Sequence, residues 1–128
     1  MKTIITFLSL CAALVAIPAN AEIKLKDNSQ ILGKWQVTAE ATALDKEKKA
    51  LHVVWDFQSN GTLMTTGEDS LGRAGEMEIG VKYSVENGQI KKQTSPGREK
   101  YEECTVVELN GKDMVLKCKF LYFFLTRK

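Results

Sequence analysis

Catalysis needs a base beside a nucleophile, a pair of carboxylates or a cluster of metal ligands, and this sequence supplies little of any. His52 is its only histidine. On a strand, His52 shares a face with Asp56 four residues along, and that face reads as the outer one, so the pair reads as a polar patch in contact with water rather than an acid–base couple. No Cys-x-x-Cys or histidine-rich spacing suggests a metal site. No glycine-rich loop follows a strand and opens a helix, so nucleotide chemistry also lacks support. The expectation is a protein without catalytic residues, cofactor or metal.

The N-terminus points to export. Lys2 precedes an uncharged, mostly apolar run from Ile4 to Ile17 that closes with Pro18-Ala19-Asn20-Ala21. Small residues at Ala19 and Ala21 suit signal peptidase, so residues 1–21 read as a secretory signal peptide cleaved before Glu22. The run is too short to span a bilayer comfortably. A lipoprotein reading at Cys11 is disfavoured because Leu10 is too large for the position before a lipidated cysteine. Residues 22–128 then form one domain, placed in the periplasm or secreted, with no transmembrane segment. Removing Lys2 leaves 17 basic and 16 acidic residues. Such balance, with lysine and glutamate interspersed, argues against nucleic acid as a partner.

Processing leaves Cys104 and Cys118, and an even count in an exported chain predicts a disulfide. Alternation complicates it. If Val107 and Leu109 face inward, Cys104 faces out, whereas Met114, Leu116 and Phe120 place Cys118 inside, so pairing across the Asn110-Gly111 turn requires a β-bulge. The alternative is two unpaired thiols. Glu103 shares a face with Tyr101, Thr105, Val107 and Leu109; it either points inward, where it would orient a polar ligand group or pair with a lysine such as Lys92, or is turned to solvent by that same bulge.

Positioning these groups falls to strands. Asn-Gly occurs at Asn60-Gly61, Asn87-Gly88 and Asn110-Gly111, each between alternating segments, which predicts successive antiparallel hairpins. Period-two patterning is clearest in Met77, Ile79, Val81, Tyr83 and Val85. Strands are expected near 33–40, 51–58, 62–66, 77–86, 89–94, 100–109 and 114–126, with an eighth concealed at an end or in a bend. Asp27 to Leu32 suits a short helical turn. Gly67 to Gly75 breaks the strand pattern and reads as an exposed loop, a candidate lid. The fold class is therefore all-β, a small antiparallel meander closing into a barrel of seven or eight strands, with a two-sheet sandwich as alternative.

Leu32-Gly33-Lys34-Trp35 opening the first strand, with Arg127 ending the last, resembles the lipocalin and calycin pattern. Trp55-Asp56-Phe57-Gln58-Ser59-Asn60-Gly61-Thr62-Leu63 is similar to the second hairpin of short bacterial lipocalin-like domains. The resemblance implies that Gly33 and Trp35 plug the closed end of the barrel and that Arg127 lies over the indole, where a cation–π contact contributes about 0.5–2 kcal/mol. A barrel of this kind suits binding of a small apolar or amphipathic ligand, and the expected lining is Trp55, Met77, Tyr83, Tyr101, Met114 and Phe120. These same residues could instead fill a solid core. The run Lys119 to Leu125 is apolar on both faces, so Leu121, Phe123 and Leu125 either lie under the N-terminal turn or form an exposed patch for a homodimer, a protein partner or a membrane surface. In the second case the protein is a docking module of the envelope, an inhibitor or assembly factor.

Overall fold

A computed structural model describes residues 22–68, 71 and 73–128, without the side chains of 74–76. The signal-peptide reading of residues 1–21 lies outside the described residues. Eight strands run in order: β1 Gly33–Ala41, β2 Lys49–Phe57, β3 Thr62–Glu68, β4 Ala74–Glu86, β5 Gln89–Gln93, β6 Tyr101–Leu109, β7 Asp113–Lys117 and β8 Tyr122–Arg127. Each pairs antiparallel with its neighbour, and β8 returns to β1, which closes the barrel. Closure removes the two end strands that an open sheet would offer to another chain, although the first half of β4, beyond the reach of β5, is left unpaired on one side. The sandwich alternative is thereby excluded.

The Asn-Gly pairs do what their backbone freedom allows. At β4–β5, Asn87 and Gly88 have φ of 55° and 81°, the doubly left-handed geometry of a two-residue hairpin. In an up-and-down barrel alternate connections lie at the same end. The Asn-Gly turns at β2–β3, β4–β5 and β6–β7 therefore share one end with the chain's entry into β1, and the other four connections share the opposite end.

Two sequence expectations change. The strand drawn through 114–126 is two strands, because the chain turns at 118–121, where the Cys118 N–H donates to the Leu121 carbonyl at 2.9 Å. That turn holds the eighth strand. It also explains the two-faced apolar run: the alternation restarts, so that Met114, Leu116 and Cys118 of one arm and Phe123 and Leu125 of the next all face inward, paired Met114 with Leu125 and Leu116 with Phe123. Leu125 is buried, while Leu121 and Phe123 are half-buried. The expected loop over Gly67–Gly75 is shorter than drawn, since β3 and β4 extend into it and pair Glu68 with Ala74.

One end of the interior is solid. Trp35, Ile31, Phe57, Leu63, Ile90, Val106 and Met114 are almost completely buried. A 3-10 turn at Asn28–Gln30 caps them: Asp27 accepts from the Ser29 N–H at 2.9 Å and starts the turn, and the Ile31 carbonyl accepts the Trp35 indole N–H at 2.9 Å. Arg127 lies across the indole, 4.1 Å from the ring centroid. Its guanidinium also donates to the carbonyls of Leu32 at 2.7 Å, Gln30 at 3.2 Å and Gly111 at 3.1 Å. Gly33 has a φ of 108°, a backbone conformation that calls for glycine, while a Cβ there would only come into ordinary contact with the guanidinium at 3.4 Å.

Tyr83 ties the cap to the wall. Its hydroxyl donates to the Gln58 carbonyl at 2.7 Å and accepts from the Asn28 amide at 3.2 Å. Burial pushes the phenol above its ordinary value of 10.0, opposed by the Asn28 hydrogen bond and reinforced by the negative charge of Asp56. A raised folded-state pKa means that the fold holds this proton more tightly than the unfolded chain does. The resulting stability is complete below about pH 10 and is lost as pH rises through the folded value. Phenolate absorbance followed from neutral to alkaline pH should contain a step above the ordinary tyrosine value that Tyr83→Phe removes, and titration curves in which the variant loses only absorbance at or below that value would contradict it.

Candidate functional site

The other end is not filled. Trp55 forms the boundary, directly opposite Trp35 across the β1–β2 ladder and buried beneath a set of inward-facing but only partly covered side chains. Its ring meets Phe57 edge-on below, with centroids 6.3 Å apart, and Phe123 beside it at 5.2 Å. Leu51, Val53 and Val81 pack against the same core. Thr65 pairs with both Trp55 and Ile79, and Gly67 pairs with Val53. At Gly67 a Cβ would meet nothing within 4 Å. These partly covered, mostly apolar side chains make the inner surface of the end ringed by the connections β1–β2, β3–β4, β5–β6 and β7–β8, a shallow cup, whereas the cavities of about 310–570 Å³ lie elsewhere on the molecule.

One ion pair enters this apolar setting. Lys92 and Glu102 face each other across the β5–β6 ladder, with Nζ and Oε2 2.7 Å apart and side chains only 13% and 20% exposed. The ammonium stands 5.4 Å from the Trp55 ring centroid, and the second Glu102 oxygen accepts the Lys119 backbone N–H at 3.3 Å. Such a partly desolvated pair requires partners for both charges. Glu102 has two. Lys92 carries three N–H donors, of which the carboxylate takes one, so the ammonium retains donor capacity over the indole face.

The cysteines explain why Glu102 faces inward. Cys104 and Cys118 form a disulfide across β6 and β7, with Cα atoms 4.1 Å apart. The required bulge is present: the β6–β7 register shifts between Val106 and Glu108. Below it, the even-numbered residues Glu102, Cys104 and Val106 face the interior, while Tyr101 and Glu103 are exposed. The bulge thus reverses the face expected from Val107 and Leu109. Glu102 also lies with Cys104 and Cys118 in the one group of potential metal donors among the described residues, all within 4.8 Å of one another. Both sulfurs, however, are consumed in the disulfide.

Of the six side chains expected to line a ligand site, the cup brings in Trp55 alone. Tyr83 and Met114 face inward but belong to the solid end. Tyr101 and Phe120 are exposed away from the interior, which corrects their expected place inside the barrel, and Met77 is exposed as well, on the face of β4 that Ile79 and Val81 share but too far along to be covered; each has a physical reason. Phe120 stands on the 118–121 turn, Tyr101 is put on the outer face by the β6 bulge, and Met77 lies on the part of β4 that β5 does not cover. β5 pairs with β4 only from Tyr83 to Glu86. Just beyond, the Gln93 side chain substitutes for the missing strand, accepting the Lys82 N–H at 2.8 Å and donating to the Arg98 carbonyl at 2.9 Å. Sequence reading named Lys92 only as a partner for Glu103, and it missed Glu102, Thr65 and Phe123. The signal that could have found Glu102 was the disulfide: with Cys118 inside, a bridged Cys104 must be inside too, and Glu102 is two residues away on that face.

His52 is exposed on the outer wall, and Asp56 is half-buried along the same face, bordering an outer groove of about 310 Å³ with Lys34 and Glu68. A larger outer groove of about 540 Å³ runs past Val107, Val115, Tyr122 and Phe124. The outer faces of Tyr122 and Phe124 are covered in part by Lys117 and Lys48, whose ammonium groups lie 6.0 and 4.1 Å from the respective ring centroids.

No family model matches the sequence, and no curated protein does so either. Among solved structures, a lipocalin-like protein from Bacteroides uniformis superposes with a TM-score of 0.62 at 16% identity, covering 78% of this chain and all of the other. An uncharacterised protein from Bacteroides eggerthii gives a TM-score of 0.60 at 16% identity, covering 76% of this chain and 98% of its own. Identity this low carries the shape of the backbone and none of its chemistry, and the shape is clear: this chain folds as a lipocalin-like β-barrel.

Proposed function

We propose that the protein is an exported binding protein, not an enzyme, and that it holds a small amphipathic molecule in the open cup. The Lys92–Glu102 pair carries this reading, because a half-buried ammonium with spare donors, set over a tryptophan in an otherwise apolar recess, suits one polar head on an apolar body. The solid end anchors the barrel and the cup receives the ligand. The Cys104–Cys118 disulfide fits an oxidising compartment such as the periplasm or the extracellular space. No helix among the described residues is long and apolar enough to cross a membrane.

Titration with a medium-chain fatty acid should give a saturable change in Trp55 fluorescence. Gly67→Leu, which places a side chain in open space, should weaken binding about tenfold or more with little loss of stability. Replacing the pair together, Lys92→Met with Glu102→Gln, avoids leaving a lone buried charge and should cost roughly tenfold in affinity, the value of one hydrogen bond to a charged group. Absence of a saturable signal with fatty acids and lysophospholipids alike would sink the proposal. The second reading, a protein-docking module of the envelope, is favoured by the outer groove beside Phe124, whose wall mixes Val107, Val115 and Phe124 with Glu22, Glu108 and Lys117. A silent cup, together with a stoichiometric protein partner lost on Phe124→Asp, would select it.

A further inference from the structure

The cup leaves unexplained what stands around its mouth. Five of the six large hydrophobic side chains that are exposed among the described residues, Leu44, Leu71, Met77, Tyr101 and Phe120, belong to the loops or strand ends of the open rim, and the sixth, Ile79, lies within β4 at 38% exposure. Scattered apolar residues on a surface need no explanation, but gathering of five of the six at one end does. At the closed end, the connections are the polar Asn-Gly turns.

Their arrangement around the ring narrows the kind of partner. In the closed order of eight strands, the β3–β4 connection carrying Leu71 lies diametrically opposite the β7–β8 turn carrying Phe120. Leu44 on β1–β2 and Tyr101 at the end of β5–β6 fall midway between them. Leu71 and Phe120 are the most exposed, at 75% and 77%. Separate apolar tips set about a ring make contact together with a broad, soft surface, whereas a protein interface concentrates its apolar residues in a continuous centre. Leu44 also borders the outer groove.

Charge points the same way. The four rim connections hold six lysines and arginines against four aspartates and glutamates. Beside the Phe120 ring stands the Lys119 ammonium, 5.3 Å from its centroid. An apolar tip with a cation at its shoulder suits the boundary between acyl chains and anionic headgroups, where the ring enters the apolar layer and the ammonium stays with the phosphates.

We propose that the open rim docks on an anionic lipid surface, with Leu71 and Phe120 as its insertion points and Lys119 among its headgroup contacts. This does not rest on the ligand reading, although docking in this orientation would turn the mouth of the cup toward the lipid.

Flotation of the protein, exported with its own leader and purified after processing, tests it against phosphatidylcholine vesicles and against phosphatidylcholine mixed with phosphatidylglycerol at about 2:1. The expected result is binding at least about tenfold tighter to the anionic vesicles, weakened by roughly 0.5 M salt. Leu71→Ser with Phe120→Ser, both at exposed positions and so no threat to folding, should lower it a further tenfold or more. Absence of flotation with either vesicle would overturn the proposal, and so would equal flotation of the double variant. A concentration-dependent dimer that the double variant loses, without flotation, would assign the rim to a second copy of the chain instead. The Lys92→Met, Glu102→Gln variant should float like the wild type, so failure of the docking proposal and failure of the ligand reading give different patterns.

Discussion

Trp35→Ala should lower the free energy of unfolding by about 3–5 kcal/mol, the range for truncating a fully buried large aromatic. The side chain lies at 0% exposure. Its indole N–H is spent on the Ile31 carbonyl, and its face supports Arg127. Truncation opens a cavity where the first strand, the last strand and the 3-10 turn meet. Arg127→Ala should cost less, about 2 kcal/mol, because the guanidinium is partly solvated but gives up hydrogen bonds to three carbonyls. The two losses should not add: a double-mutant cycle in guanidinium chloride should show a coupling of about 1 kcal/mol from the lost stacking. A Trp35→Ala protein within about 1 kcal/mol of wild type would mean that the plug does not hold the barrel shut.

Removing the disulfide should have the next largest effect. Cys104 and Cys118 are 14 residues apart in sequence, and a loop of that length accounts for about 3 kcal/mol through the entropy it removes from the unfolded chain. Cys104→Ala with Cys118→Ala should therefore unfold at lower denaturant concentration by that amount, and adding a thiol reductant to the wild type should reproduce the shift. The cup should feel it as well. Glu102 precedes Cys104 on the same face, and its second oxygen accepts from Lys119, the residue after Cys118, so loosening the bridge frees the partner that holds Lys92. Fatty-acid affinity should fall in the reduced protein. Equal midpoints in oxidised and reduced protein would contradict the stability assignment.

The cup and the solid end are built from one repeating pattern, and the difference between them is where the neighbouring chain stops. At the closed end, the chain's entry brings Leu25, Ile31 and the 3-10 turn under the barrel. At the open end nothing comparable crosses the interior among the described residues. β5, with five residues, leaves the first half of β4 uncovered, and Ile79 and Met77 are exposed there in consequence.

Local chemistry was enough to read much of the architecture. Asn-Gly pairs favour tight turns whatever surrounds them, and Gly61, Gly88 and Gly111 all take the positive φ expected of them, so the meander and its antiparallel order were legible. Alternation located most strands, and the Gly33-Trp35 opening with Arg127 identified the plugged end. The conflict between the cysteines and the alternation around them foretold a bulge. Its position at Val107 was not legible, and neither was the turn at 118–121, which lacks the glycine or proline that usually marks one. The bulge shifts register by a residue, which in a strand exchanges inside for outside, and the turn reverses the chain and restarts the alternation on a new strand. Tyr101, Phe120 and Glu103 went to the surface on that account, and Glu102 came in to meet Lys92. Turn positions follow from residue types acting over two to four neighbours. Which face of β6 and β8 meets the interior follows from closing the whole ring, a condition that no short stretch of chain contains.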